Sequence, residues 1–429
     1  MTNFGEMKAF VAIDSFKGAL GSAAACRAAA DALREAATLS GRPKSSCRPD
    51  DIREFPVSDG GEGFCECIHH YLGGTWIPLP VTGPDGQTVE AKYLIANGKA
   101  PANGSIFGTG DASPKTAFIE SASACGYTLV SGSHPDPREH DTDSHDRPYP
   151  RELTTAGVGE LIADAIRRGC TRIVLGLGGT ATMDAGLGLY NALRKAFPAA
   201  PDPNHCDGDD VGATLGDIEF TVCVDTFAPL TGPAGAAYMY GPQKGLRKDQ
   251  LAEADAWLAR QAAIFGLSPA TPGFGAAGGL LCGLTAALSL RQMSEGTGPT
   301  LKIVSGADYL IEISGLKEAI RETDKDNILI IIGEGRVDEQ SLTGKLTGRI
   351  AAFASSLNQD STQPINQASR LPRAKVLCLA GSIGKGFDPK NSIFDEVLVI
   401  TPEGSPLDEA LAGTATNIRR TLLDYCRNT

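Results

Sequence analysis

Histidine is scarce and poorly placed for catalysis: 6 occur in 429 residues, none of them in the glycine-rich motifs. His69 and His70 read as following a helix, His134, His140 and His145 fall in a polar stretch, and His205 lies in another polar loop. A Ser-His-Asp hydrolase or a dehydrogenase with a histidine base needs one of these in its site, so histidine-dependent chemistry is disfavoured. The three histidines of 131–150 sit among acids, but their irregular spacing is not that of a metal site. Paired CxxC spacings are missing although there are 11 cysteines. An odd, scattered set reads as reduced intracellular thiols, with Cys65 and Cys67 as small buried apolar residues. Dense Lys/Arg runs are lacking and the net charge is -12, which disfavours nucleic acid as a partner. The start "MTNFGEMKAFVAID" has neither a cationic lead nor a long apolar core, and no apolar run reaches membrane-spanning length. A cytosolic enzyme without membrane attachment is the expectation.

What is abundant is glycine, at 51 copies, within a chain that is 42% apolar. The length exceeds one ordinary core, so two domains are expected. Short Val/Ile/Leu runs end in glycine-bearing loops and lead into helical patterns, the signature of an α/β fold with parallel strands. "KAFVAID" leads to an alanine-rich helix in which Ser22 can cap and Ala29, Leu33 and Ala37 can form a buried stripe. "ILIIIGEG" leads to the loop "RVDEQSLTGK" and a further helix, and "KVLCLAGSIG" repeats the arrangement. Ligands bind beyond the carboxyl ends of such strands, which puts Asp14, Lys17, Glu334 and Ser382 on the functional edge. Residues 131–150 and 358–373 are polar and proline-bearing and read as mobile surface loops.

Several glycine motifs carry candidate chemistry. "IVLGLGGTATMDAGLG" fits GxGxxA through Gly176, Gly178 and Ala181, but no second strand ending in an acid follows some twenty residues on, so a nicotinamide site lacks its ribose anchor. Gly178, Gly179 and Thr180 can instead offer backbone N–H groups to an anion at a helix start, while Asp184 is either a functional carboxylate or a first-turn acid that stabilises the helix dipole. "FPVSDGGEGF" sets Asp59 and Glu62 among Gly60, Gly61 and Gly63, a ligand or metal loop or else a solvated turn. "GEGRVDEQSLTGK" supplies Glu334, Arg336, Asp338, Ser341 and Lys345; Glu339 stands where a Walker A motif needs its first glycine, so ATP would bind without that loop. "TPGFGAAGGL", with Gly278 and Gly279, and "YGPQKG", with Lys244, add anion-friendly backbone. Carboxylates, cations and glycine loops are the parts of phosphoryl transfer.

Taken together, "IDSFKGAL", "PVSDGGEG", "TTAGVGELI", "GLGGTATMDAG", "VDTFAPLTGPAGAAYMYGPQKG", "GFGAAGGL", "GEGRVDEQSLTGK" and "LAGSIG" resemble the bacterial-type glycerate kinase family, in its motif order and over nearly the whole chain. The resemblance implies a Rossmann- or flavodoxin-like domain from 1–75 and 300–429, interrupted by a second α/β domain over 76–299, with the active site in the cleft between them. It implies phosphorylation of D-glycerate by ATP with Mg2+, with 2-phosphoglycerate favoured over 3-phosphoglycerate, in a monomer or homodimer. Lys17 and Arg336 are the candidates for phosphate or carboxylate contacts, because a small hydroxy acid needs a cationic clamp. Asp184, then Asp338, lead as general base or metal ligand, with Asp59 and Asp225 behind them as tentative metal ligands. Asp14, Ser15, Gly60, Gly61, Glu62, Gly178, Gly179, Thr180, Gly278, Gly279, Glu334 and Lys345 complete the candidate binding set. Met183 replaces the family's usual Asn, Ala185 the first of its paired glycines, and Ala228 the Asn before proline; a missing amide there would slow turnover or alter substrate choice. The rival readings are a nicotinamide-dependent oxidoreductase and a glycerate-binding regulatory homologue.

Overall fold

The computed structural model describes residues 7–39, 49–97, 114–130, 149–198, 215, 218–295, 299–323, 328–342, 344–359 and 374–428. The chain divides into two compact units, one made of residues up to Asp59 together with Ala307 onward, the other of Gly60–Gly306. These divisions fall at 59/60 and 306/307, against 75/76 and 299/300 read from the sequence. The readings made for 131–150 and 358–373 lie almost wholly outside the described residues, as do His134, His140, His145 and His205.

The discontinuous unit is built on a five-stranded sheet: β1 (Lys8–Ile13), β2 (Ile52–Glu54), β9 (Ile328–Val337), β10 (Lys375–Ile383) and β11 (Glu396–Val399). Its order is β11-β10-β9-β1-β2 and every pairing is parallel. Along β1 the side chains alternate between two cores. Phe10 and Ala12 join one with Ile330 and Ile332, while Ala9, Val11 and Ile13 join the other with Leu329 and Ile331. A parallel sheet covered on both faces wants this uninterrupted apolar run, which is why "ILIII" carries no polar alternation. β9 extends further than its apolar run. Ladder pairing of Glu334, Arg336 and Val337 with Ala380, Ser382 and Ile383 carries both strands past the glycines, so "GEGRV" is strand where a loop was expected.

The other unit holds a six-stranded sheet, β3 (Thr75–Thr82), β4 (Thr88–Asn97), β5 (Lys115–Glu120), β6 (Arg172–Leu177), β7 (Glu219–Val224) and β8 (Thr300–Ser305), in that order. β3, β4 and β5 pair antiparallel, and β5 through β8 pair parallel. Pro78 and Pro80 are tolerated in β3 because it is an edge strand. One large core lies within this unit, with Leu161, Ile162, Ile173, Phe220 and Leu281 among its buried members.

Helix Ser22–Leu39 forms as expected and buries Ala29 and Leu33, with Ala37 half-buried. Ser22, however, does not cap it. The hydroxyl donates to the Ile13 carbonyl at 2.6 Å and accepts the Val57 N–H at 2.8 Å, joining the helix start to the sheet. His69 and His70 lie inside helix Phe64–Leu72, not beyond it. The nine described cysteines are free thiols, and Cys65 and Cys67 are buried. Among the described residues no helix is long and apolar enough to cross a membrane.

Candidate active site

In the discontinuous unit the carboxyl ends of β1 and β9 place acids beside cations. Asp14, one residue past β1, is buried; burial first, then the nearby carboxylates of Asp59 and Glu334, push its pKa well up against the pull of Lys17. Its Oδ1 also accepts the Ser15 N–H at 2.7 Å. Lys17 Nζ stands 3.7 Å from Asp59 Oδ2. Glu334 is buried and accepts the Thr347 hydroxyl at 2.6 Å, with Lys345 Nζ 3.5 Å from its other oxygen and 3.6 Å from Asp338 Oδ1. Such long, part-exposed ion pairs contribute at most about 1 kcal/mol. The half-buried Arg336 guanidinium makes no hydrogen bond or ion pair among the described residues. Ser341 instead caps the turn at Asp338, its hydroxyl accepting the Asp338 N–H at 3.0 Å. Ser382 is exposed at the end of β10.

In the second unit, loops after β6 and β7 meet the short helices Ala236–Tyr240, Pro242–Lys244 and Ala276–Gly279 around a solvent-open pocket. Its wall includes Gly178, Gly179, Thr180, Asp225, Lys244 and Gly278. Asp225 is exposed, immediately beyond β7. Lys244 is buried and spends all three ammonium protons, on the Thr180 carbonyl (2.7 Å), the Thr180 hydroxyl (3.0 Å) and the Thr182 carbonyl (2.8 Å). Burial pulls its pKa down to about 8. The N–H groups of Gly179 and Thr180 donate to no described residue.

Not every motif glycine faces a ligand. A Cβ on Gly60 would meet the backbone of Gly306 and Cys223 at 3.2 and 3.3 Å, one on Gly178 the Gly61 Cα at 2.7 Å, and one on Gly176 the Gly60 carbonyl oxygen at 2.6 Å. These glycines let two loops lie backbone to backbone, which is a packing role. A Cβ on Gly278 would likewise meet the Thr182 carbonyl oxygen at 2.1 Å, and one on Gly279 the Ala185 Cα at 2.7 Å. Gly179, at φ 67°, has only Ala122 Cβ near, at 3.4 Å. Glu62 is exposed.

Asp184, the foremost base candidate from the sequence, is buried with both oxygens engaged. Oδ1 accepts the Gly186 N–H (3.0 Å), and Oδ2 accepts the Thr155 N–H (2.9 Å), the Thr155 hydroxyl (2.8 Å) and the Gly188 N–H (3.0 Å). It braces the turn before helix Leu187–Ala196. Burial raises its pKa in spite of these donors. Met183 points into the core, 1% exposed, so an amide lost at this position is lost from the interior and not from the pocket. Ala185 takes φ 53°, a left-handed conformation better suited to the glycine usual there. Ala228 works through its carbonyl, which accepts the Gly273 and Gly275 N–H groups.

Glu120, at the end of β5, went unnoticed in the sequence. Its oxygens accept the Gly63 N–H (2.8 Å) and the Cys65 N–H (3.2 Å) at the start of helix Phe64–Leu72. The helix N-terminus behind "DGGEG" is therefore occupied by the chain's own carboxylate. Burial raises the Glu120 pKa to about 8. The one signal available was an acid closing the apolar run "KTAFIE".

One parallel and one mixed sheet, each with ionisable groups and glycine loops at the carboxyl ends of its parallel strands, define an α/β fold of the kind that binds small ligands at that edge. The particular family comes from comparison. The description "Glycerate kinase family" matches residues 9–428. A protein of Escherichia coli (strain K12) named glycerate 2-kinase is 31% identical, over 96% of this chain and 96% of its own. A glycerate kinase of Bacillus subtilis (strain 168) is 30% identical, over 97% and 96%. A crystal structure from Salmonella typhimurium LT2, provisionally named glycerate kinase 2, superposes with a TM-score of 0.62 at 26% identity over 98% of both chains. The chain belongs to the glycerate kinase family.

Proposed function

We propose that this protein transfers the γ-phosphoryl group of ATP to the 2-hydroxyl of D-glycerate with the help of Mg2+. The observation that carries the reading is Arg336: a half-buried guanidinium at the next-to-last residue of a parallel strand, with no partner among the described residues, is a site prepared for an anion. Lys17 and Lys345, in the same unit, supply further positive charge for triphosphate oxygens. The 2-hydroxyl preference is supported by the name of the Escherichia coli relative.

The donor set suits Mg2+ in one way only. Among the described residues no three His, Cys, Asp or Glu side chains group to hold a metal ion, whereas Mg2+ commonly takes one or two carboxylates and completes its shell with water and phosphate. Asp14 and Glu334, buried at the carboxyl ends of β1 and β9, are the carboxylates that would hold it. When bound, it would spread the negative charge of the transferring group.

The remaining steps fall to the chain. Asp225, exposed beyond β7, is the general base of this reading. It accepts the proton of the glycerate hydroxyl as the new O–P bond forms and the bond from the γ-phosphorus to the ADP oxygen breaks. The free thiols accord with a reducing, cytosolic setting. ADP release should require ATP, Mg2+ and D-glycerate together, and enolase added alone should consume the product. A product that enolase accepts only after phosphoglycerate mutase is added would move the transfer to the 3-hydroxyl, and no ADP release would sink the activity.

A further inference from the structure

We infer that the pocket of the second unit is the acceptor subsite, receiving the carboxylate of a short 2-hydroxy acid on the N–H groups of Gly179 and Thr180, with Lys244 as the positioning residue that holds this cradle. The inference rests on the kinase reading above and assigns one subsite within it.

Three observations converge. Gly179 and Thr180 line the pocket, and their N–H groups donate to no described residue. Beneath them lies a buried positive charge that is not itself a donor to ligands, because Lys244 has bound the Thr180 and Thr182 carbonyls and the Thr180 hydroxyl. Drawing the Thr180 carbonyl and hydroxyl inward anchors the residue that carries one of these N–H groups, so the loop is held before a ligand arrives. The groups bearing on the ammonium are Cys125, Asp225 and Asp184, with the Tyr127 ring centroid 5.9 Å away.

The pocket's other charged lining residue is Asp225. A carboxylate in the wall repels a phosphate dianion, yet it serves a ligand that brings a carboxylate at one end and a neutral hydroxyl at the other. Tyr240 and Thr226, whose hydroxyls are bonded at 2.9 Å, and the exposed Gln243 supply polar wall for a remaining hydroxyl.

The test is two-substrate kinetics on the full chain, with calorimetric titration of D-glycerate in the absence of nucleotide, for wild type, Lys244→Met and Gln243→Ala. Both variants should raise the KM and Kd for D-glycerate about tenfold or more and leave the KM for ATP within about twofold. Gln243 is exposed, so that variant decides the matter if Lys244→Met does not fold. If the wild type phosphorylates glycerate, glycerate constants unchanged in both variants overturn the subsite alone, as does a rise confined to the ATP constant. Wild-type protein that binds D-glycerate, loses that binding in the variants and transfers no phosphoryl group keeps the subsite and sinks the kinase reading.

Discussion

Asp184 Oδ2 accepts both the backbone N–H and the hydroxyl of Thr155, at 2.9 and 2.8 Å. The pair ties the loop after β6 to the start of helix Ala156–Arg167, across 29 residues of sequence. In Asp184→Asn one accepting oxygen becomes a donor facing an N–H. The expected loss is about 1–3 kcal/mol of stability, read as a lower Tm, with kcat of the folded enzyme changed less than about tenfold. A kcat lowered a hundredfold at unchanged Tm would return Asp184 to the chemistry.

Asp225→Asn should behave in the opposite way. The side chain is exposed, so melting should be nearly unchanged. Removing a general base lowers kcat by about 10²–10⁴-fold. Rapid-quench measurement of the first turnover would show whether the transfer step itself is slowed; a normal first turnover would exclude the role.

Arg336→Met removes a cation that has no partner among the described residues. Stability should hold or rise slightly. Loss of charge-assisted hydrogen bonds of about 1.5–3 kcal/mol predicts kcat/KM for ATP lower by about 10- to 100-fold. Steady-state kinetics with ATP varied, beside a thermal melt, reads both.

Glu120 gives the protein a pH dependence that does not involve catalysis. Burial, then the Glu66 charge, raises its pKa to about 8 from the usual 4.5, against the pull of the Cys65 and Gly63 N–H groups. Between those values the folded state keeps a proton that the unfolded state has lost, so this group's contribution is full below the lower value and is lost as pH rises through the upper. Glu120→Gln should flatten that slope in urea melts from about pH 5 to pH 8. A slope identical to wild type would show that other groups set it.

How much could be read in advance follows a physical line. The "ILIII" run announces a strand buried on both faces, since both cores draw on alternate residues of it. The continuation of β9 through Arg336 could not be read, because it depends on hydrogen bonds from β10, some forty residues away in sequence. Asp184 was conspicuous as a residue but not as a brace, since half of its partners come from Thr155. Gly178 and Gly179 look equivalent in sequence; only the approach of Gly61 to the first separates a packing glycine from one open to the pocket.

The backbone contact between the "DGGEG" and "GLGGT" loops bears on how the substrate range can change. Where main chain touches main chain at 2.6 and 2.7 Å from a hypothetical methyl, no substitution can be absorbed without moving a loop. That part of the pocket wall is closed to gradual drift. Thr226, Tyr240 and Gln243 are left as the adjustable parts, so new acceptor preferences in this family should arise on the helical side of the pocket while the glycine side stays invariant.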